Sequence, residues 1–354
     1  MSASQPAPHV STQGRTSGDG VAGVVPAPPT SRVRMDQVMA PVEADLQAFD
    51  TYFRDALKTD VRLLNLVLRY LLKQKGKRIR PTLVLLAART MGQPTESTFR
   101  AAALVELLHT ATLIHDDVVD EADTRRGAFS INALWKNKVG VLLGDYFLSR
   151  GLLLALDNKD YDALHALSDA VRRMSEGELM QIEKARRLDI TEEEYFRIIS
   201  DKTASLISTC TAAGALSAGA SEDEVARMKA FGEALGLAFQ IRDDLFDYGS
   251  EDVGKPLGID VQERKMTLPL IHALREADPS EARRIKRVVR KKRKSRRQVD
   301  DVIAFVKEAG GLGYATERMH EHAGEARRLL QTFEPGEARS ALEALVTYTV
   351  QRKL

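Results

Sequence analysis

Cysteine is almost absent: Cys210 is the only one in 354 residues, which excludes an internal disulfide and any cysteine-based zinc site. In its Ala-rich surroundings it reads as a small buried apolar residue with no redox role. Long apolar runs are missing too. No stretch of about eighteen apolar residues occurs, so no membrane-spanning helix is expected, and the first residues lack the apolar core of a secretion signal. The cytoplasm is the default compartment; the low acidity and the serines of the N-terminal region leave an organellar transit peptide as the other reading. Aromatic and β-branched residues do not alternate, which argues against strands. No linker with a change of composition follows residue 35, so one large domain is expected despite the length.

Residues 1–34 form a Pro/Ser/Ala-rich tail, with Pro6, Pro8, Pro26, Pro28 and Pro29 among small residues. Such a composition is expected to be disordered. From there apolar residues recur at spacings of three and four, as in Leu64, Val67, Leu68, Leu71 and in Ala101, Leu104, Val105, Leu108, Thr112. Gly92-Gln93-Pro94, Asp157-Asn158, Ala220-Ser221 and Gly310-Gly311 suit short loops, and Thr191 before three glutamates suits a capped helix start. The expected fold class is all-α, a large single-domain bundle of about a dozen helices without a fixed repeat.

Two acidic clusters of one form lie far apart: Asp116-Asp117-Val118-Val119-Asp120 and Asp243-Asp244-Leu245-Phe246-Asp247. On a helix, residues i, i+1 and i+4 place the outer two carboxylates on one face about a turn apart. That oxygen edge suits a hard cation such as magnesium, which commonly joins one or two carboxylates to a substrate phosphate. An isolated cluster is more often a solvated acidic face. Here each ends a stretch that is largely apolar all round, residues 104–115 and 234–242, which reads as a buried helix. Like charges there repel and are poorly solvated without a compensating cation. The pair therefore reads as a metal site whose two edges clamp a diphosphate.

Basic groups accompany the clusters. Lys77, Arg78 and Arg80 open the first large apolar helix, Arg125 and Arg126 follow the first cluster, Lys202-Thr203 begins another apolar stretch, and Lys255 and Lys265 flank a Gly-rich loop beyond the second cluster. Helix starts favour anions, and arginine forks match phosphate oxygens. Each alone suits a surface charge; together they exceed the need of one diphosphate. Two diphosphate-bearing substrates are implied, and the apolar helices imply that a hydrocarbon departs from one of them. Ionising an allylic carbon–oxygen bond gives a carbocation, which a dry apolar pocket shields from water.

Between Arg283 and Arg297, eleven of fifteen residues are Arg or Lys, so with a whole-chain charge of +2 the remainder carries about −9. Without interleaved aromatics and with an acidic remainder, no nucleic-acid contact is expected. A solvated helical hairpin and a contact with an anionic membrane surface are the two readings left.

Five motifs in order, GKRIRP, HTATLIHDDVVDEADTRRG, the pair Gly144-Asp145, DKTASL and AFQIRDDLFDYGSEDVGKPLGID, closely resemble the trans-isoprenyl diphosphate synthases, particularly the long-chain, octaprenyl-like polyprenyl members. The match runs from residue 36 to 354. It implies the isoprenoid synthase fold, with residues 35–354 as the catalytic domain, and a homodimer. It also implies Mg2+, three ions per active site with substrate bound. The implied reaction is repeated head-to-tail addition of isopentenyl diphosphate to an allylic primer such as farnesyl diphosphate, giving a quinone side-chain precursor of heptaprenyl to decaprenyl length. By the same resemblance Asp116, Asp120 and Asp243 are the principal magnesium-bridging carboxylates, supported by Asp117, Asp244 and Asp247, the last also at the metal. Lys77, Arg80, His109 and Arg126 resemble the residues that hold isopentenyl diphosphate. Arg125, Lys202, Thr203, Gln240, Lys255 and Lys265 resemble those that hold the allylic diphosphate or its metals. The chain departs from the family at Lys75, where a second glycine often precedes Gly76.

Ala111 lies five residues before Asp116, about 7.5 Å deeper along a helix. In short-chain relatives this neighbourhood carries an aromatic floor, whereas Ala111 and Thr112 are small, so a long product is implied. A shorter, geranylgeranyl-type synthase is the near alternative, and a non-catalytic partner subunit of a heteromeric synthase the further one. A terpene cyclase would lack GKRIRP and would replace the second cluster.

Overall fold

The computed structural model describes residues 1, 32–73, 76–119, 124–125, 128–249 and 257–352. The tail expected at residues 1–34 thus falls, but for Met1 and Arg32 to Arg34, outside the described residues. From Arg32 onward the chain packs as one unit. Its helices in order are α1 Met35–Met39, α2 Glu43–Ala56, α3 Arg62–Lys73, α4 Ile79–Met91, α5 Glu96–Val119, α6 Ile131–Asp157, α7 Tyr161–Arg187 and α8 Glu192–Ile199. Then follow α9 Ser205–Ser217, α10 Glu222–Phe246, α11 Ile259–Gln262, α12 Leu268–Glu276, α13 Pro279–Val289, α14 Arg296–Glu308, α15 Gly311–Leu330 and α16 Glu337–Gln351. The all-α expectation holds; the only strands among the described residues are β1 Thr124–Arg125 and β2 Ala128–Phe129, paired antiparallel.

The helix starts follow from local chemistry. Thr191, Ser221 and Ser295 each accept from the backbone N–H three residues on, while Glu194, Glu224 and Gln298 reach back to the cap, satisfying two orphan donors at α8, α10 and α14. α9 is the hub, in contact with α4, α5, α7 and α10. Its residues are mostly small and buried, and its hydroxyls turn onto their own helix, as Thr209 does to the Ser205 carbonyl at 2.8 Å. Smallness permits close approach. A Cβ on Gly214 would lie 2.2 Å from the Val84 carbonyl oxygen of α4, and one on Gly232 of α10 would lie 2.5 Å from the Ser208 Cα. The core beside it includes Leu83, Leu85 and Leu86, all fully buried, each worth roughly 1.5–3 kcal/mol.

One helix departs from the expectation that nothing reaches the length and apolarity of a membrane span. Within Ala133–Asp157 of α6, an eighteen-residue window has a mean hydropathy of 1.6, and 33% of it is buried. Asp145 and Arg150 interrupt it, which hides it from a search for continuous runs. Its exposed residues include Val141, Leu142, Leu152, Leu153 and Leu156; on α7, Leu179 and Ile182 are exposed as well.

Candidate active site

The second acidic cluster ends α10, and its three carboxylates face three ways. Asp243 stays 40% exposed and lines a cavity of about 340 Å³. Asp244 turns inward at 6% exposure, where it accepts from the Tyr195 hydroxyl at 2.7 Å and from the Gln240 amide at 2.9 Å. Gln240 in turn accepts from the Thr203 hydroxyl at 2.8 Å. Asp247 accepts from the backbone N–H groups of Ile259 and Asp260 at 2.8 and 3.1 Å, so it caps the start of α11. Burial, and then the neighbouring Asp260 charge, push the Asp244 carboxyl up to about 7 and Asp247 up to about 6. Burial and Asp244 likewise raise the Tyr195 hydroxyl well above its ordinary value.

Across the cavity, residues 200–204 form a π-helical turn between α8 and α9. Such turns re-aim side chains at functional sites. Two glycines give it room: a Cβ on Gly177 of α7 would lie 3.0 Å from the Lys202 nitrogen, and one on Gly236 of α10 would lie 2.5 Å from the Ala204 Cα. Arg173 fixes the turn from α7, pairing with Asp201 at 2.7 Å and donating to Ser200 at 2.8 Å. Lys202 and Thr203 are thereby presented to the cavity, Lys202 paired with Glu178 and 3.4 Å from the Gln181 oxygen. Lys265 also lines it, bonded to Asp260 at 3.2 Å and Glu263 at 2.7 Å. Burial opposes its charge, yet Asp260 and Glu263 hold its ammonium above the ordinary range. The cavity thus brings together Lys202, Thr203, Gln240, Asp243, Asp244, Asp247 and Lys265.

The first cluster ends α5, which like α10 packs on α9. Asp116 is exposed and Asp117 is buried at 3%. The preceding His115 explains the Gly144-Asp145 pair: its ring lies where a Cβ on Gly144 would be, and its Nε2 is 3.5 Å from Asp145. In GKRIRP, Arg78 is structural, taking left-handed backbone at φ 50° before α4 and pairing with Asp50 of α2 at 2.6 Å. Lys77 is exposed, 3.5 Å from the Tyr348 hydroxyl, while Arg80 and His109 are half-buried. Arg125 enters through its backbone alone, in β1; Asp120, Arg126 and Lys255 lie outside the described residues. Ala111 is 3% exposed, within the cluster that contains Val67, Leu68, Leu107 and Phe147, and the Thr112 hydroxyl donates to the His109 carbonyl at 2.9 Å.

Reading residues in order misses three groups here. Tyr195 and Asp260 escape because their partners are set by folding, although an acid five residues before Lys265 is a local hint. Arg352, which ion-pairs with Asp243, carries no signal at all. Among the described residues no three His, Cys, Asp or Glu side chains converge on one point. Asp243, the most exposed of the cavity's carboxylates, and the exposed Asp116 on a second helix fit magnesium completed by phosphate and water, not an all-protein cage.

Comparison with known proteins places this geometry. Residues 61–306 match the polyprenyl synthetase family model. The chain is 36% identical to octaprenyl diphosphate synthase of Escherichia coli over 310 residues, 87% of this chain and 96% of that protein. A decaprenyl diphosphate synthase of Rhodobacter capsulatus superposes with a TM-score of 0.85 at 37% identity, covering 91% of this chain and all of that one. A polyprenyl synthase of Caulobacter crescentus, complexed with calcium and isoprenyl diphosphate, gives 0.83 at 32% identity over 92% of this chain and all of that one. With matches that run nearly end to end through the same all-α isoprenoid synthase fold, the chain belongs to the polyprenyl synthetase family of prenyltransferases.

Proposed function

We propose that this prenyltransferase is a long-chain trans-polyprenyl diphosphate synthase that adds isopentenyl diphosphate repeatedly to an allylic primer such as farnesyl diphosphate, supplying a quinone side chain. The observation that carries the reading is the cavity that Asp243, 40% exposed, shares with Lys202 and Lys265, a carboxylate for a metal in one pocket with two cations for a diphosphate. The names of the octaprenyl and decaprenyl relatives support the long chain. Both acidic clusters are intact in sequence, which favours an active subunit over a non-catalytic one.

In this reading Asp116, Asp120 and Asp243 hold magnesium, and Lys202, Lys265, Arg125 and Lys255 hold the allylic diphosphate. Thr203 and Gln240 position it and fix Asp244. Lys77, Arg80, His109 and Arg126 hold isopentenyl diphosphate. Bound magnesium supplies charge neutralisation on the departing diphosphate. The lysines add fixed positive charge where negative charge develops. The allylic carbon–oxygen bond breaks, the isopentenyl double bond attacks the resulting cation, and the departing diphosphate takes the proton lost afterwards. The apolar walls keep water from the cation. A small apolar cavity of about 30 Å³ between α5, α6 and α7, lined by Leu104, Leu108 and Phe147 among others, supports room for a tail deeper than Ala111. The exposed apolar stripe of α6 and α7 supports a homodimer.

The test is incubation of the purified protein alone with magnesium, farnesyl diphosphate and labelled isopentenyl diphosphate, followed by sizing of the product. Long all-trans polyprenyl diphosphates are expected. A product that stops at geranylgeranyl length, a cyclised hydrocarbon, or no turnover without a second protein would each replace this reading with one of its rivals.

A further inference from the structure

The basic segment folds as a helical hairpin, one of the two readings that its sequence allowed. Residues 290–295 form the tight turn between α13 and α14, and Arg290, Lys291, Lys292 and Arg293 are all exposed on it. With Arg287 and Arg297 they make six exposed cations that have no ion-pair partner among the described residues. Some surface arginines elsewhere are paired, as Arg172 is with Asp169 and Glu176, and Arg284 with Asp301. No acidic residue occurs from 282 to 299.

Lys294 is the exception, and it makes the turn rigid. It is 8% exposed, and its ammonium donates to the carbonyls of Lys291 at 2.9 Å and Gln262 at 3.2 Å. The Gln262 amide returns a bond to the Lys294 carbonyl at 3.2 Å. Arg296 donates to the Leu257 carbonyl at 3.4 Å, and a Cβ on Gly258 would lie 2.1 Å from Val299. Leu257, Ile259 and Asp260 line the active-site cavity. The cations are therefore displayed on a preformed turn fastened to the cavity wall.

We infer that the α13–α14 turn docks the enzyme on an anionic lipid bilayer. Unpaired, clustered cations on a fixed turn match a diffuse anionic surface, to which each contributes without needing a specific pocket. No aromatic residue lies between 280 and 304, so the stacking platform that single-stranded nucleic acids use is missing. Fastening to the cavity wall would hold the active site next to the bilayer.

The test is co-sedimentation of the full chain with vesicles of phosphatidylcholine containing phosphatidylglycerol, and with phosphatidylcholine alone. Binding is expected only to the anionic vesicles at low salt, with release in 0.5 M salt, as screening demands. The variant Arg290→Gln/Lys291→Gln/Lys292→Gln/Arg293→Gln should lose at least about tenfold in partitioning while keeping wild-type turnover on soluble substrates and wild-type thermal unfolding. Lys294 is left intact because the fold uses it. Arg290→Lys/Arg293→Lys should bind as wild type. Equal sedimentation of the Gln variant and wild type would overturn the inference, as would loss of binding in the Lys variant, which would indicate a shaped anion pocket. Salt-sensitive binding to a duplex or single-stranded nucleic acid at concentrations where vesicles do not bind would assign the turn to that partner instead.

Discussion

Tyr195 on α8 donates its hydroxyl to Asp244 on α10 at 2.7 Å, both groups buried. With Gln240 on the other oxygen, the middle carboxylate of the second cluster is held inside the protein. Asp243 is the most exposed of the three carboxylates. The cluster thus combines one partly exposed carboxylate with two that fix the end of α10 and the start of α11.

That division predicts unequal mutants. Asp243→Ala removes an interaction used mainly as charge develops on the leaving diphosphate, so turnover should fall by orders of magnitude with native circular dichroism. Tyr195→Phe leaves Asp243 in place and removes one donor from Asp244, so turnover should fall about tenfold or less, with some loss of stability from the donor removed, roughly 1–3 kcal/mol. If Asp243→Ala stays within about threefold of wild type, about 0.65 kcal/mol, Asp243 is not a metal ligand.

A second prediction concerns pH. Burial raises Asp244 from 3.8 to about 7, Asp260 adding to it, so the folded protein binds this proton more tightly than the unfolded chain. The stabilisation from protonation is full below 3.8 and is lost as pH rises through about 7. Its size is on the order of 4 kcal/mol. In EDTA, wild type should gain Tm relative to Asp244→Asn as pH falls from 8 to 5, the Tyr195 hydroxyl being free to turn and accept from the amide. A difference in Tm between the two that is flat across this range would refute the assignment.

Much of this was legible in the sequence, for identifiable reasons. Helices α5 and α10 announce themselves because apolar residues on every side leave burial as the only outcome, and the capping boxes at Thr191, Ser221 and Ser295 are complete within four residues. Which way each aspartate faces was not legible. Asp244 turns inward because of Tyr195, which is 49 residues away, and no periodicity records that pairing. The π-helical turn at 200–204 depends on Gly177 and Gly236, which lie on other helices. Lys294 looks like ten other cations around it until Gln262 is folded against it.

Arg352 supplies a third prediction. Its guanidinium ion-pairs with Asp243 and lies 4.1 Å from the Phe239 ring centroid, and its carbonyl accepts from Arg242 at 3.0 Å. Burial and Arg242 lower its pKa to about 10, which leaves it charged at neutral pH. A divalent ion must compete with this internal cation for Asp243. Arg352→Ala should therefore bind manganese several-fold more tightly, read by paramagnetic resonance without substrate, whereas Arg352→Lys should resemble wild type. Equal manganese affinity in all three proteins would show that the pair does not compete with metal.

The last prediction tests product length. Ala111 is buried among Val67, Leu68, Leu107 and Phe147, a little over one turn below Asp116. In the proposed reading the growing tail passes this level, and the cavity between Leu104, Leu108 and Phe147 lies beyond it. Ala111→Phe places a ring there while leaving both acidic clusters and all the cations unchanged. Early additions should proceed, and the product should shorten to an isoprene unit or two beyond the primer, with less isopentenyl diphosphate consumed per chain. Overpacking among these neighbours should cost roughly 1–3 kcal/mol, so thermal unfolding is measured alongside, and Ala111→Ser serves as a variant that keeps the space open. A folded, active Ala111→Phe enzyme that still makes the wild-type length would mean that the tail takes another route, and that packing of α5 against α3 and α6 is the whole reason for a small residue at this position.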